Sequence, residues 1–150
     1  MTTEPAAKRV RLYTDGSCHG NPGPGGWAAI LEYDGREREL VGATRATTNN
    51  QMELTAVIEG LRALREPCRV EVFTDSRYVV DGMKSWLRSW KQRGWLTADK
   101  KPVKNSDLWR ALDSEAQKHQ TTWHWVRGHD GHPQNERCDA LANAAIRTLE

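Results

Sequence analysis

Polar and apolar positions alternate over Arg9–Thr14, "RVRLYT", and a period of two predicts a strand with one face in a core. The run Gly20–Gly26, "GNPGPGG", is too rich in glycine and proline for regular structure and predicts a loop. Trp27–Tyr33 and Glu37–Val41 flank Asp34-Gly35, a pair suited to a tight turn, so a hairpin is expected. The period then changes. Leu54, Val57, Ile58 and Leu61 fall at i, i+3, i+4 and i+7 after "TTNNQMEL". That spacing predicts a helix capped by Asn49 or Asn50 and ended before Pro67. Arg69–Thr74 reads as a strand and Ser76–Gly82 as a short helix, with a second helical piece through the tryptophans that follow. The chain closes with a helix capped by Ser106 or Asn105, a strand over Thr121–Val126, a loop at "GHDGHP" and a helix over Asn135–Leu149. On this last helix Cys138, Leu141, Ala142, Ala145 and Leu149 share one face.

A hairpin meander followed by strands that alternate with helices predicts an α/β fold, a mixed sheet with helices packed on its faces. The chain of 150 residues suits one domain, long enough to bury about 68–70% of its unfolded surface. Residues 9–150 are expected to form it, with 1–8 as a flexible tail. Three cysteines, Cys18, Cys68 and Cys138, are an odd number without a CxxC pair, which argues against a disulfide framework and for a reducing compartment. The opening "MTTEPAAKRV" has no apolar core of a secretory signal, and no apolar run approaches the roughly 18 residues of a membrane span. A cytoplasmic monomer with no membrane association is expected.

Charge changes the picture only through its distribution. The net charge is +2, yet Lys84, Arg88, Lys91, Arg93, Lys100, Lys101 and Lys104 face a single acid, Asp99, in one stretch. Trp86, Trp90 and Trp95 are interleaved with them. Basic side chains with aromatic faces suit a phosphate backbone; the alternative is a solvated helix face with tryptophans turned to the core.

The candidate chemistry lies in the acids. "RLYTDGS" and "EVFTDSR" each run an apolar strand into Thr-Asp, placing Asp15 and Asp75 at strand ends. On adjacent parallel strands both carboxylates would emerge at one sheet edge, where open α/β sheets bind ligands. Asp is also a common turn residue. Glu53 borders the buried face of its helix, although Asn50-x-x-Glu53 is a capping-box pattern that favours a structural role. Asp139 borders the buried face of the last helix, where Asp is unfavourable without a partner such as Arg137 or Arg147. Oxygen donors without cysteine describe a site for a hard cation such as Mg²⁺, and two such ions can clamp the attacking and leaving oxygens of a phosphoryl displacement. His129, His132 and Cys138 lack the spacing and fourth ligand of a zinc site. His129, in a glycine-flanked loop, suits proton transfer near neutral pH.

Five stretches, "YTDGSCHGNPGPGGWAAIL", "TTNNQMEL", "FTDSRYV", "WKQRGWLTADKKPVKNSDLW" and "WVRGHDGHPQNERCDALA", together resemble a bacterial type 1 ribonuclease H from about Arg9 to Ile146. The resemblance implies the ribonuclease H-like fold, a five-stranded mixed sheet with helices on its faces. It implies Mg²⁺-dependent hydrolysis, with Mn²⁺ as a substitute, of the RNA strand of an RNA–DNA hybrid, leaving 3′-hydroxyl and 5′-phosphate ends. By the same resemblance Asp15, Glu53, Asp75 and Asp139 are the metal-binding carboxylates and His129 the catalytic loop histidine. Cys18, Asn21, Asn49 and Asn50 match groove-facing positions, where the 2′-hydroxyl tells RNA from DNA. Thr48 and Asn105 match a pocket for a DNA phosphate, Trp86 and Trp109 aromatic positions near the DNA strand, and the basic stretch a protruding handle. Three positions depart from the pattern: Arg77 stands where relatives often carry an amide, Ala46 where some carry an Arg beside the phosphate pocket, and Gln92 where the handle would be more basic. Two other functions fit the same fold, a non-catalytic hybrid-binding module and a DNA-directed nuclease. The retained acids argue against the first, and the handle and "TTNNQMEL" against the second.

Overall fold

The computed structural model describes residues 7–127 and 132–149. Five strands form one mixed sheet: β1 (Lys8–Cys18), β2 (Gly23–Tyr33), β3 (Arg36–Thr47), β4 (Cys68–Thr74) and β5 (Gln120–Trp125), in the order β3-β2-β1-β4-β5. The first three run antiparallel as a meander, while β4 lies parallel to β1 and β5 parallel to β4. Among the described residues five α-helices accompany them: α1 (Asn49–Arg62), α2 (Arg77–Asp81), α3 (Leu87–Gln92), α4 (Ser106–Ala116) and α5 (Pro133–Arg147), with a π-helical turn over Gly82–Trp86 joining α2 to α3. No helix among the described residues is long and apolar enough to cross a membrane.

The period-two pattern of β1 sorts two cores. Val10 and Leu12 turn to the face covered by α1 and α4, where they pack with Leu54, Val57, Leu61, Trp109 and Leu112. Tyr13 turns the other way and packs with Ala28 and Ile30 against Cys138 and Ala142 of α5. Each fully buried Leu or Val contributes about 1.5–3 kcal/mol relative to exposure, so both faces of the central strand are held. The hairpin turns at Asp34 and Gly35, with φ of 51° and 75°, as the sequence predicts.

Several boundaries differ from the sequence reading: β1 and β3 run on to Cys18 and Thr47, and α5 covers Pro133–Arg147. Gly20–Gly26 is not all loop, because β2 begins at Gly23. A side chain at Gly25 would meet Thr47, and one at Gly26 the Ala142 carbonyl of α5. Those glycines mark close packing between β2 and its neighbours, which composition alone reads as a turn. The cap of α1 is Thr48, whose Oγ1 accepts from Gln51 N at 3.2 Å; Asn49 and Asn50 lie inside the helix. Asn105 does precede α4, but in a left-handed conformation at φ 60° without a side-chain cap bond.

Candidate active site

The parallel ladder between β1 and β4 ends at Tyr13↔Phe73. Two residues on, Asp15 and Asp75 stand side by side where the strands part. Asp75 follows the last residue of β4, but Asp15 does not end its strand: β1 continues to Cys18, paired with β2 through Asp15↔Ala28 and beyond. β1 has lost only its β4 partner there, which opens the sheet beneath the two carboxylates.

Glu53 arrives from α1 on one face of the sheet. A Cβ on Gly16 would sit 2.5 Å from Glu53 N, so the missing side chain lets the helix backbone close on β1. Glu53 is buried at 3% exposure. It does not form the expected capping box; its Oε1 accepts the Gly16 N–H and its Oε2 the Thr74 hydroxyl at 3.5 Å. Gly16 N also donates to Asp15 Oδ1 at 3.0 Å. Asp15, Glu53 and Asp75 each offer an oxygen within 4.8 Å of the others. Burial first, and then neighbouring carboxylates, push Asp15 well above the ordinary range. Burial and Asp75 raise Glu53 likewise. The two face each other closely enough for the charge on one to bear on the proton of the other. Concentrated buried negative charge of this kind is relieved by a cation or by protons.

Asp139 comes from α5 on the opposite face. It lines the same cavity as the other three acids, together with Asn49, Asn50, Arg77 and Tyr78, but stands outside the close trio. Of the two expected arginines, Arg137 pairs instead with Glu37 and Glu39 at 2.9 Å. Cys138, the would-be zinc ligand, is buried with its thiol on the Tyr13 carbonyl, and burial raises its pKa far beyond that of a free thiol. His129 lies outside the described residues. The donors brought together are therefore carboxylate oxygens, a set that fits a hard divalent cation.

Around the cavity the predicted substrate residues fall into linked groups. Asn21 Oδ1 accepts from Asn49 N at 3.1 Å, and the Cys18 thiol lies 2.7 Å from the Gly20 carbonyl, so both brace the loop between β1 and β2. Thr48 and Asn105 are joined through Gln51, whose backbone N–H is capped by Thr48 and whose Nε2 donates to Asn105 Oδ1 at 3.2 Å. Asn105 Nδ2 and Trp109 Nε1 both donate to the Tyr78 hydroxyl, at 3.2 and 2.9 Å. Trp109 is fully buried beneath this network, whereas Trp86 is 38% exposed. Arg77 is exposed, stacked 4.8 Å over Trp125, whose indole N–H donates to the Asp75 carbonyl at 3.1 Å.

Gln51, Tyr78, Trp125 and Asn135 were not singled out in the sequence. Asn135 is 1% exposed, and its Nδ2 donates to the carbonyls of Phe73 at 3.1 Å and Thr14 at 3.5 Å. It ties the start of α5 to the point where β1 and β4 diverge. Burial of an amide without a partner is costly, but a single Asn at a helix start carries no sequence signal for that partner.

Comparison with known proteins gives a consistent picture. The family model described as RNase H matches residues 7–147. A ribonuclease H from Cupriavidus metallidurans is 61% identical over 142 residues, covering 95% of this chain and 98% of that protein. One from Chelativorans is 60% identical over 139 residues, covering 93% and 86%. Among solved structures, LC9-RNase H1, described as a type 1 RNase H with the type 2 active-site motif, superposes with a TM-score of 0.87 at 38% identity. The match covers 99% of this chain and 76% of that one.

Proposed function

Because the chain belongs to the ribonuclease H family and hydrolyses the RNA strand of RNA–DNA hybrids, we propose that Asp15, Glu53, Asp75 and Asp139 hold the divalent metal on which this family depends. The observation that carries the assignment is the trio of buried or half-buried carboxylates within 4.8 Å of one another at the open end of the sheet. Bound there, one or two Mg²⁺ ions, or Mn²⁺ in their place, supply positive charge to the attacking and leaving oxygens of an in-line displacement.

The chain's own residues supply position and selectivity. The Gly16 N–H and the Thr74 hydroxyl fix the Glu53 carboxylate, so its lone pairs are aimed before substrate arrives. His129 carries the proton to the departing 3′ oxygen, and the products are a 3′-hydroxyl and a 5′-phosphate. Cys18, Asn21, Asn49 and Asn50 reach the 2′-hydroxyls of the RNA strand across a shallow groove. Thr48 and Asn105, coupled through Gln51, take a phosphate of the DNA strand. Trp86 meets that strand directly, and Trp109 acts from beneath by holding Tyr78. Arg77, in place of an amide, offers a charged fork to a phosphate in preference to a base edge. The protein works as a cytoplasmic monomer, which its free thiols at Cys18, Cys68 and Cys138 suit.

The test uses end-labelled RNA, presented alone, paired with DNA and paired with RNA, beside a DNA duplex, each with Mg²⁺ and with EDTA. Cleavage of RNA in the hybrid, with Mg²⁺ only, is expected. Binding of the hybrid without cleavage would support a non-catalytic module, and cleavage of duplex DNA at a similar rate a DNA-directed nuclease.

A further inference from the structure

Asp139 differs from the other acids in what orients it. Glu53 is pinned by the Gly16 N–H, and Asp15 accepts from the same group. The Asp139 carboxylate meets its partner one turn further along α5. Asn143 Nδ2 donates to Asp139 Oδ1 at 3.3 Å and to the Asp139 carbonyl at 2.9 Å. Asn is a weak helix former, and bonding back to the carbonyl four residues earlier slightly disfavours a helix. Its place in the middle of α5 therefore calls for a task.

The other end of the same amide is occupied too. Asn143 Oδ1 lies 3.1 Å from Ser17 Oγ and 3.1 Å from His19 Nε2. A carboxamide has two N–H donors and two acceptor lone pairs, and here all four positions are filled. The filling also fixes which way the amide faces. Turned over, its oxygen would oppose both a carbonyl and a carboxylate. The NH₂ end must face Asp139 and the oxygen Ser17 and His19, so His19 Nε2 must carry a proton.

We propose that Asn143, gripped by Ser17 and His19, is a positioning residue that sets the Asp139 carboxylate for metal binding and ties that carboxylate to the β1–β2 loop. The proposal rests on the four-carboxylate reading above and deepens it. Ser17 and His19 sit at the end of β1 and in the loop that also carries Asn21, so one amide couples the metal site to the groove-facing loop. Groups that orient metal ligands typically affect metal affinity or activity by about 10–100-fold when removed.

Three measurements test it: calorimetric titration of the substrate-free protein with Mg²⁺, the Mg²⁺ dependence of cleavage, and KM for a hybrid. Asn143→Leu, similar in size and a better helix former, is expected to weaken Mg²⁺ binding and raise half-saturating Mg²⁺ by about tenfold or more. KM for the hybrid should stay within about twofold, because uniform substrate binding is not what is lost. Asn143→Asp, which sets a second carboxylate against Asp139, should also weaken binding. His19→Ala should give a smaller loss, since that histidine is exposed, and His19→Gln, which keeps an N–H donor, should recover part of it. Wild-type Mg²⁺ affinity in a folded Asn143→Leu protein overturns the proposal, as does a loss confined to KM. Asp139→Asn separates the two readings. If it keeps Mg²⁺-dependent cleavage, the four-carboxylate assignment fails; if it is inactive while Asn143→Leu matches wild type, only the positioning role fails.

Discussion

The carboxylate cavity and the basic protrusion over residues 82–103 are built on opposite plans. The cavity gathers Asp15, Glu53 and Asp139 from β1, α1 and α5 and Asp75 from the turn after β4, with Asp15 and Glu53 at 4% and 3% exposure. Nothing local holds those acids together; the parallel register of β1 and β4 and the packing of α1 and α5 do. The protrusion is contiguous in sequence. Its helix α3 has no buried residue, and its far end turns through Gly94 and Trp95 at positive φ to the single bridge Leu96↔Pro102. It is moored by Trp90 and Trp95 against the main core and by buried Val103. The proposed chemistry thus sits in the buried centre of the fold, and the proposed grip on a part with little burial of its own. Each can be altered with little effect on the other.

The largest effect should come from the cavity. Asp75→Asn removes one of the three converging carboxylates while leaving the protrusion untouched. Cleavage should fall by roughly 10²-fold at least, the scale for losing one preorganised electrostatic group, while hybrid binding measured by anisotropy in EDTA stays near wild type. Retained Mg²⁺-dependent cleavage would break the comparison at its first term. Next come the two tryptophans placed by sequence near the DNA strand. Trp109 is fully buried and Trp86 partly exposed. Trp109→Ala should cost about 3–5 kcal/mol in denaturant unfolding, because it empties the space beneath Tyr78 and Gly82. Trp86→Ala should leave stability nearly unchanged and raise KM. Equal destabilisation by both would mean that the protrusion is part of the core.

The two regions were also unequally legible in the sequence. Asp15 and Asp75 could be found because the echo "YTDG" and "FTDS" survives without knowledge of neighbours; Glu53, whose own pattern favours a cap, and Asp139 join them only through the resemblance to ribonuclease H. The supports of those acids could not. Asn135 bonds to carbonyls 62 and 121 positions away, and Gln51 to an amide 54 positions away. A lone Asn or Gln has no periodicity to betray such a partner. The sequence points to Asn49 or Asn50 in place of Thr48 because Thr and Asn both cap helices well; only the extended backbone of Thr48, φ −126°, decides among the three positions. The protrusion holds a similar long-range partner: Lys91 lies 3.0 Å from Asp113 of α4, outside the basic stretch.

That pairing sharpens the next prediction. Lys84 and Arg88 are exposed on the protrusion and form no ion pair with an acid among the described residues, so they should carry the phosphate contacts. Replacing both by Ala should raise KM and lower the slope of log affinity against log salt by about 2, roughly one unit per lost contact. The rate at saturating hybrid should hold. Lys91→Ala should change the slope less and stability more. A salt response identical to wild type in the double variant would remove the protrusion from substrate binding.

The smallest effect concerns the cavity again, in the absence of metal. Burial first, and then repulsion from Glu53 for Asp15 and from Asp75 for Glu53, raises both carboxyls above their unfolded values. Between the ordinary carboxylate value near 4 and those raised values, which lie past neutrality, the folded protein holds more protons than the unfolded chain. Stability must therefore fall as pH rises through that window. In EDTA the thermal midpoint should decline from mildly acidic toward alkaline pH, and saturating Mg²⁺ should remove much of the decline. Asp15→Asn eliminates one of the charges, so it should flatten the slope and raise the metal-free midpoint by about 2–4 °C for each kcal/mol of repulsion relieved. The same variant should gain little from Mg²⁺. The protrusion offers the control: Lys84→Ala carries no buried charge and should keep the wild-type slope. If Asp15→Asn is no more stable than wild type in EDTA at alkaline pH, the cavity is not the strained, charge-loaded region that distinguishes it from the protrusion.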